Sequence, residues 1–315
     1  MLVDGKWTTV WYDTKASGGT FVRPETQFRD RVSADGRSAF PAAPGRYHLY
    51  VSYACPWAHR TLIVRRLKRL EDVISLSVVD PYMGPDGWAF SDGPGCVPDA
   101  VNGARFLREI YVQARSDYTG RVTVPVLWDK ASRTIVSNES AEILRMLNCA
   151  FDAWGDPAVD LYPEELRAEI DEVNALVYER VNNGVYRCGF ATTQAAYEAA
   201  FDALFLTLDE LDRRLGTRRY LVGDRVTEAD WRLFTTLVRF DAVYVGHFKC
   251  NLRRIADYPH LSGYLRELYQ VPGVADTVRF DHIKQHYYCS HEGINPTGIV
   301  PLGPALDLWA PHGRG

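Results

Sequence analysis

The sequence predicts an α/β domain followed by an all-α domain, and three observations carry that reading. Residues 47–80 run strand, helix, strand around a Cys-Pro pair. Residues 121–148 read as a hairpin followed by a helix. Beyond residue 160 the apolar period is helical throughout: Leu166, Ile170, Val173 and Val177 share one stripe, and Ala200, Leu204, Leu208, Leu211 and Leu215 another. A chain of 315 residues suits about two domains, and 46% hydrophobic residues give each an ample core.

Residues 1–45, rich in Gly, Pro, Ser, Thr and charge, read as an extended arm. The first domain then spans 46–150. Tyr47, Leu49 and Val51 alternate with His48, Tyr50 and Ser52, which is strand spacing. After Cys55 the spacing becomes helical, and Pro56 suits a first helical turn, where its missing N–H costs nothing. Residues 73–79 complete a βαβ unit. Cys55 thus stands where a strand ends and a helix begins. A thiol there meets free backbone N–H groups and the positive end of the helix dipole, and both favour the nucleophilic thiolate. The bland alternative is a buried, inert cysteine. Cys55-Pro56-Trp57-Ala58 lacks a second Cys, so a mixed disulfide on Cys55 needs an outside thiol to release it.

Residues 80–103 form a long Gly/Pro-rich loop, a feature more often functional than idle in a compact domain. Trp88 within it reads as a wall of a site or as a plug. Residues 104–115 read as a short helix. Residues 122–129 read as a strand and 134–137 as its hairpin partner. Pro125 is unusual inside a strand because it cannot donate to the ladder. It reads either as an edge proline or as a cis proline that turns the backbone of Val124 outward to pair with an extended peptide. Glu139 and Ser140 open the next helix, where they either hold a carboxylate or simply cap. The order β-α-β-α-β-β-α is thioredoxin-like.

The all-α domain spans 160–290, with an extension over 291–315. Thr227-Glu228-Ala229-Asp230 reads as a capping box with Asp in place of Glu, and Gly216 as a helix C-cap. Tyr186, Tyr244, Tyr287 and Tyr288 read as core packing or as flat faces and phenol donors for an aromatic substrate. His282 and His286 lie one turn apart, but without a third ligand no metal site is expected.

Net charge of −4 gives no pull toward nucleic acid or an anionic membrane. No apolar run approaches the roughly 18 residues of a membrane span, and the first residues lack the apolar core of a signal peptide. Six cysteines at 55, 96, 149, 188, 250 and 289 lie too far apart for a small disulfide scaffold, which fits a reducing cytoplasm. Cys96, in the loop beside the proposed site, is a candidate incidental redox partner.

Val124-Pro125 and Glu139-Ser140 resemble the glutathione site of soluble glutathione transferases. The string Ser52-Tyr53-Ala54-Cys55-Pro56-Trp57-Ala58-His59-Arg60-Thr61, with Gly87-Trp88, Gly120 to Asp129 and Ser137-Asn138-Glu139-Ser140, resembles the glutathionyl-hydroquinone reductases, the Xi class. The stretches 182–190, 239–249 and 281–296 resemble it too, so the likeness runs from about Tyr47 to about His312. It implies a glutathione transferase fold, glutathione as co-substrate, no metal, and a homodimer. It assigns Cys55 as the catalytic thiol, Val124 to the cysteinyl backbone of glutathione, Glu139 and Ser140 to its γ-glutamyl end, and Trp88 to its cover. Tyr186, Tyr244 and Tyr287 or Tyr288 then hold the hydroquinone oxygens. The competing readings are an omega-like thioltransferase or dehydroascorbate reductase, and a non-catalytic carrier of aromatic ligands.

Overall fold

The computed structural model describes all residues 1–315. Two short pairs come first: β1 (Leu2–Val3) with β2 (Lys6–Trp7), antiparallel, and β3 (Val32–Ser33) with β4 (Phe40–Pro41), parallel. Then follow β5 (Tyr47–Val51), α1 (Pro56–Leu67), β6 (Ser75–Val78), α2 (Leu107–Ala114), β7 (Val126–Asp129), β8 (Thr134–Ser137) and α3 (Ser140–Cys149). Their sheet runs β6-β5-β7-β8, with β5 parallel to β6 and antiparallel to β7. This is the thioredoxin-like arrangement that the element order predicts.

β5 is central, and all five of its residues are buried. Its alternation therefore does not divide core from solvent. The polar members are satisfied sideways instead. His48 Nδ1 lies 2.7 Å from Ser75 Oγ and Nε2 lies 2.9 Å from Ser77 Oγ, both on β6. The Tyr50 hydroxyl donates to Asp99 Oδ1 at 3.0 Å. Burial pushes the His48 pKa down to about 4, so the ring stays neutral.

The strand expected from residue 122 begins only at Val126, which pairs with Tyr50. Pro125, which has no N–H to give the ladder, stands just before it, and the Val124–Pro125 peptide is cis.

The remaining helices are α4 (Arg167–Val177), α5 (Gly184–Phe190), α6 (Gln194–Leu215), α7 (Glu228–Arg239), α8 (Val245–His247), α9 (Leu261–Tyr269) and α10 (Phe280–Ser290). Two π-helical segments interrupt the series, Tyr178–Asn182 between α4 and α5, and Phe240–Tyr244 between α7 and α8. α7 starts at the expected capping box: Asp230 Oδ2 accepts from Thr227 N at 2.8 Å and from Thr227 Oγ1 at 3.1 Å. The other oxygen, Oδ1, accepts from Leu221 N at 3.0 Å and from the Tyr264 hydroxyl at 2.7 Å. Gly216 does cap α6, but at φ −71, a right-handed conformation open to any residue.

By packing, the chain divides into two compact units. A sheet unit holds residues 1–11, 25–160 and 277–290, and a helical unit holds 12–24, 161–276 and 291–315. These limits differ from those read off the sequence at both ends. The arm is shared between the units, and α10 groups with the sheet. The bonds account for the second difference. His59 Nε2 on α1 lies 2.8 Å from Thr277 Oγ1, His282 Nε2 lies 2.6 Å from Pro94 O, and Met83 N donates to Ser290 Oγ at 2.9 Å.

Candidate active site

Cys55 is the N-cap residue of α1, with extended φ −78 and ψ 121, and Pro56 follows in the first turn. Its side chain makes no capping bond to the helix. Instead the half-buried thiol points at the bend before β7, with Sγ 3.5 Å from Val124 O. The sheet unit thus brings the Cys-Pro helix start and the Val-Pro bend together, although 69 residues separate them.

Glu139 is the N-cap of α3, and its Oε1 accepts from Ala141 N at 3.1 Å. The Thr26 hydroxyl donates to its Oε2 at 3.2 Å. Capping, one of the two readings of this residue, is therefore present in the structure. Ser140 is buried, and Arg60 Nη1 of α1 lies 3.5 Å from its Oγ. Arg60 is itself buried, its guanidinium 4.5 Å from the centre of the Trp57 ring. A helix N-terminus, a hydroxyl and a buried cation together make a setting suited to a carboxylate.

One residue that sequence reasoning passed over joins these parts. The Tyr111 hydroxyl donates to Thr123 O at 2.8 Å and accepts from Thr123 N at 3.2 Å and Asn138 Nδ2 at 3.0 Å. Asn138 Oδ1 in turn accepts from Phe28 N at 3.2 Å. A single fully buried phenol, its pKa raised by that burial, thus ties the residue before Val124 to the residue before Glu139. Asn138 was legible from its place beside Glu139-Ser140. Nothing local marks Tyr111.

Trp88 is buried and stacks on His286 of α10, with ring centres 4.7 Å apart. His286 Nδ1 lies 2.9 Å from Pro81 O, and so holds the start of the same loop. His282 and His286 therefore both engage loop carbonyls, and no group of three or more metal-ligating side chains occurs. Tyr287 and Tyr288 follow on α10, Tyr287 at 1% exposure and Tyr288 at 8%, so neither lies on the surface. Cys96 sits in the loop with its thiol pushed up by burial, which weakens it as a redox partner.

Tyr186 and Tyr244 belong to the helical unit, in an aromatic cluster with Phe190, Phe248 and His291. Tyr244 stacks on Phe248 at 5.4 Å, and Tyr186 meets the same ring edge-on at 5.4 Å. Tyr244 closes one π-helical segment, and Tyr186 follows the other by four residues. Such insertions recur at functional sites because they re-aim side chains that a regular helix would not.

A thioredoxin-like sheet with a cysteine at its first helix start, joined in sequence to a helical unit, defines a glutathione transferase architecture. The comparisons with known proteins agree. Residues 54–149 match the glutathione S-transferase N-terminal domain and residues 194–267 the C-terminal domain. The chain is 59% identical to glutathionyl-hydroquinone reductase PcpF of Sphingobium chlorophenolicum, over 98% of this chain and 97% of that protein. The glutathione-bound structure of YqjG, a glutathione transferase homologue from Escherichia coli K-12, superposes with a TM-score of 0.92 at 53% identity, covering 100% of this chain and 99% of that one. A Xi-class transferase from Natrialba magadii gives 0.94 at 52% identity, over 100% and 96% of the two chains. The chain belongs to the glutathione transferase family and, within it, to the glutathionyl-hydroquinone reductases of the Xi class.

Proposed function

We propose that this protein uses glutathione to reduce glutathionyl-hydroquinones to free hydroquinones through a mixed disulfide on Cys55. The observation that carries the reading is the half-buried Cys55 thiol at the start of α1, 3.5 Å from the backbone carbonyl of Val124. The thiolate attacks the sulfur of the bound conjugate. The ring takes a proton at the sulfur-bearing carbon as one hydroxyl gives one up, so when the carbon–sulfur bond breaks its electron pair passes through the ring to that oxygen, which is then reprotonated to give the hydroquinone. Cys55 and glutathione are then joined by a disulfide. A second glutathione thiolate attacks that disulfide at the glutathione sulfur, releases oxidised glutathione and restores Cys55. The ring carbon is thus reduced by two electrons, and two glutathione sulfurs supply them.

In this reading the backbone of Val124 pairs with the cysteinyl part of glutathione. The N-terminus of α3, with Glu139 and Ser140, receives the γ-glutamyl end, supported by buried Arg60 beside Ser140. Trp88 covers the peptide, held in place by its stack on His286. The hydroxyls of Tyr186, Tyr244, Tyr287 and Tyr288 are assigned to the oxygens of the leaving ring, where hydrogen bonds stabilise the developing charge. Six free cysteines support a reducing, cytoplasmic setting. No helix is long and apolar enough to cross a membrane. A homodimer is carried over from the family resemblance and is read directly by light scattering.

The test is product analysis with 2-glutathionyl-hydroquinone and excess glutathione, run beside dehydroascorbate. The proposal requires one hydroquinone and one oxidised glutathione per turnover, with the thioether preferred. Preference for dehydroascorbate would favour the omega-like reading. Binding of the conjugate without turnover would favour a carrier.

A further inference from the structure

The sequence predicts an extended arm over residues 1–45, and residues 12–24 of it group with the helical unit. They are fastened there. Thr192 N donates to Gly19 O at 3.0 Å, and Thr193 Oγ1 donates to Gly18 O at 3.1 Å, at the start of α6. Gly19 has φ +92, and a Cβ there would overlap the Thr193 side chain, so this approach needs glycine.

From that anchor the arm runs onto the aromatic cluster. Tyr12 packs edge-on against Phe21 at 4.7 Å, and Phe21 lies 5.3 Å from Phe190 and 6.3 Å from Tyr186. Arg23 comes next. Its guanidinium carbon stands 4.9 Å from the centre of the Tyr186 ring and 5.4 Å from that of Phe21. Its Nε donates to Asn183 Oδ1 at 3.1 Å.

The π-helical segment explains why Asn183 is available to Arg23. Asn182 Nδ2 donates to Arg232 O at 3.0 Å and Thr236 Oγ1 at 2.7 Å, both on α7. Asn183 N reaches back to Tyr178 O at 3.0 Å, the wide turn of the insertion. Consecutive amides thus serve different neighbours, one fixing α7 and the other fixing Arg23.

We infer that residues 12–24 form part of the ring-binding site, with Arg23 as the positioning residue that holds Tyr186 and strengthens its phenol as a hydrogen-bond donor. The inference rests on the reading of Tyr186 as a substrate contact. A cation over the face of a phenol withdraws electron density from the ring and attracts it more strongly as its oxygen gains negative charge. Charge building on the leaving hydroquinone oxygen, shared through the Tyr186 hydrogen bond, is therefore met by Arg23. Exchange at a glutathione disulfide that carries no ring makes no use of this contact.

The experiment compares wild type, Arg23→Gln and Arg23→Lys on two substrates: 2-glutathionyl-hydroquinone, and 2-hydroxyethyl disulfide with glutathione. Arg23→Gln should lower kcat on the aromatic substrate by about three- to thirty-fold, leaving the disulfide rate unchanged. Arg23→Lys, which keeps the charge, should recover part of the loss. A loss shared equally by both substrates would assign Arg23 a merely structural role and overturn the inference. So would no loss on either. Wild type that turns over the disulfide but not the aromatic conjugate would instead overturn the proposed function, and the inference with it.

Discussion

Tyr111→Phe removes one oxygen atom and keeps the ring in its packing. That oxygen makes four hydrogen bonds, three to Thr123 and one to Asn138, at a residue with no exposed surface. Water does not replace a partner at so closed a position, and an abandoned buried polar group costs roughly 1–3 kcal/mol. Relaxation of the Thr123 segment recovers part of that cost, so a net loss of about 1–2 kcal/mol is expected. Urea unfolding of both proteins measures it as a fall in midpoint at constant slope. The same oxygen holds the segments that carry Val124 and Glu139, so the functional effect should be specific. Glutathione affinity, measured by calorimetric titration, should weaken about ten-fold, equivalent to about 1.4 kcal/mol. A variant that loses stability yet binds glutathione as wild type does would refute the claim that Tyr111 sets the geometry of the site. A variant that loses neither would refute the hydrogen-bond reading altogether.

Two further predictions concern stability. Asp230→Ala removes the α7 capping box together with the bonds from Leu221 N and Tyr264, and should cost about 2–4 kcal/mol in urea unfolding, without changing the KM of the protein that remains folded. His48 is held neutral with a pKa near 4, against about 6.5 in the unfolded chain. As pH falls below 6.5 the unfolded state takes up a proton that the folded state refuses, so stability falls with acidification until about pH 4. His48 should contribute up to about 3 kcal/mol to that fall. A series of unfolding curves between pH 7 and 4 reads the slope, and His48→Gln should flatten it. An unchanged slope in the variant would remove His48 as the cause.

The local elements that carry the candidate site residues were legible where they have a short-range signature. A strand period that turns helical at Cys55-Pro56 marks a helix start. Pro125 left an edge proline and a cis proline both open and did not mark where the strand begins, whereas Thr227 with Asp230 marks a capping box. What escaped the sequence is long-range. Tyr111 acts on residues 12 and 27 positions away, and its own helix gives no sign of it. The π-helical segments add a residue to a turn without any composition of their own. α10 follows the helical domain in sequence but belongs with the sheet, through contacts such as His59 with Thr277, 218 residues apart. The arm reads only as an extended segment because Tyr12, Phe21 and Arg23 have no period. Their order comes from the aromatic surface they meet.

The central claim is that Cys55 forms the covalent link to glutathione. Intact mass spectrometry after a single turnover of 2-glutathionyl-hydroquinone, with wild type compared to Cys55→Ser, tests it directly. The account predicts that wild type gains the mass of one glutathione, located on Cys55 by peptide mapping, and releases one hydroquinone, while the variant does neither. Release of hydroquinone by the variant, or a glutathione adduct on any other cysteine, would contradict it.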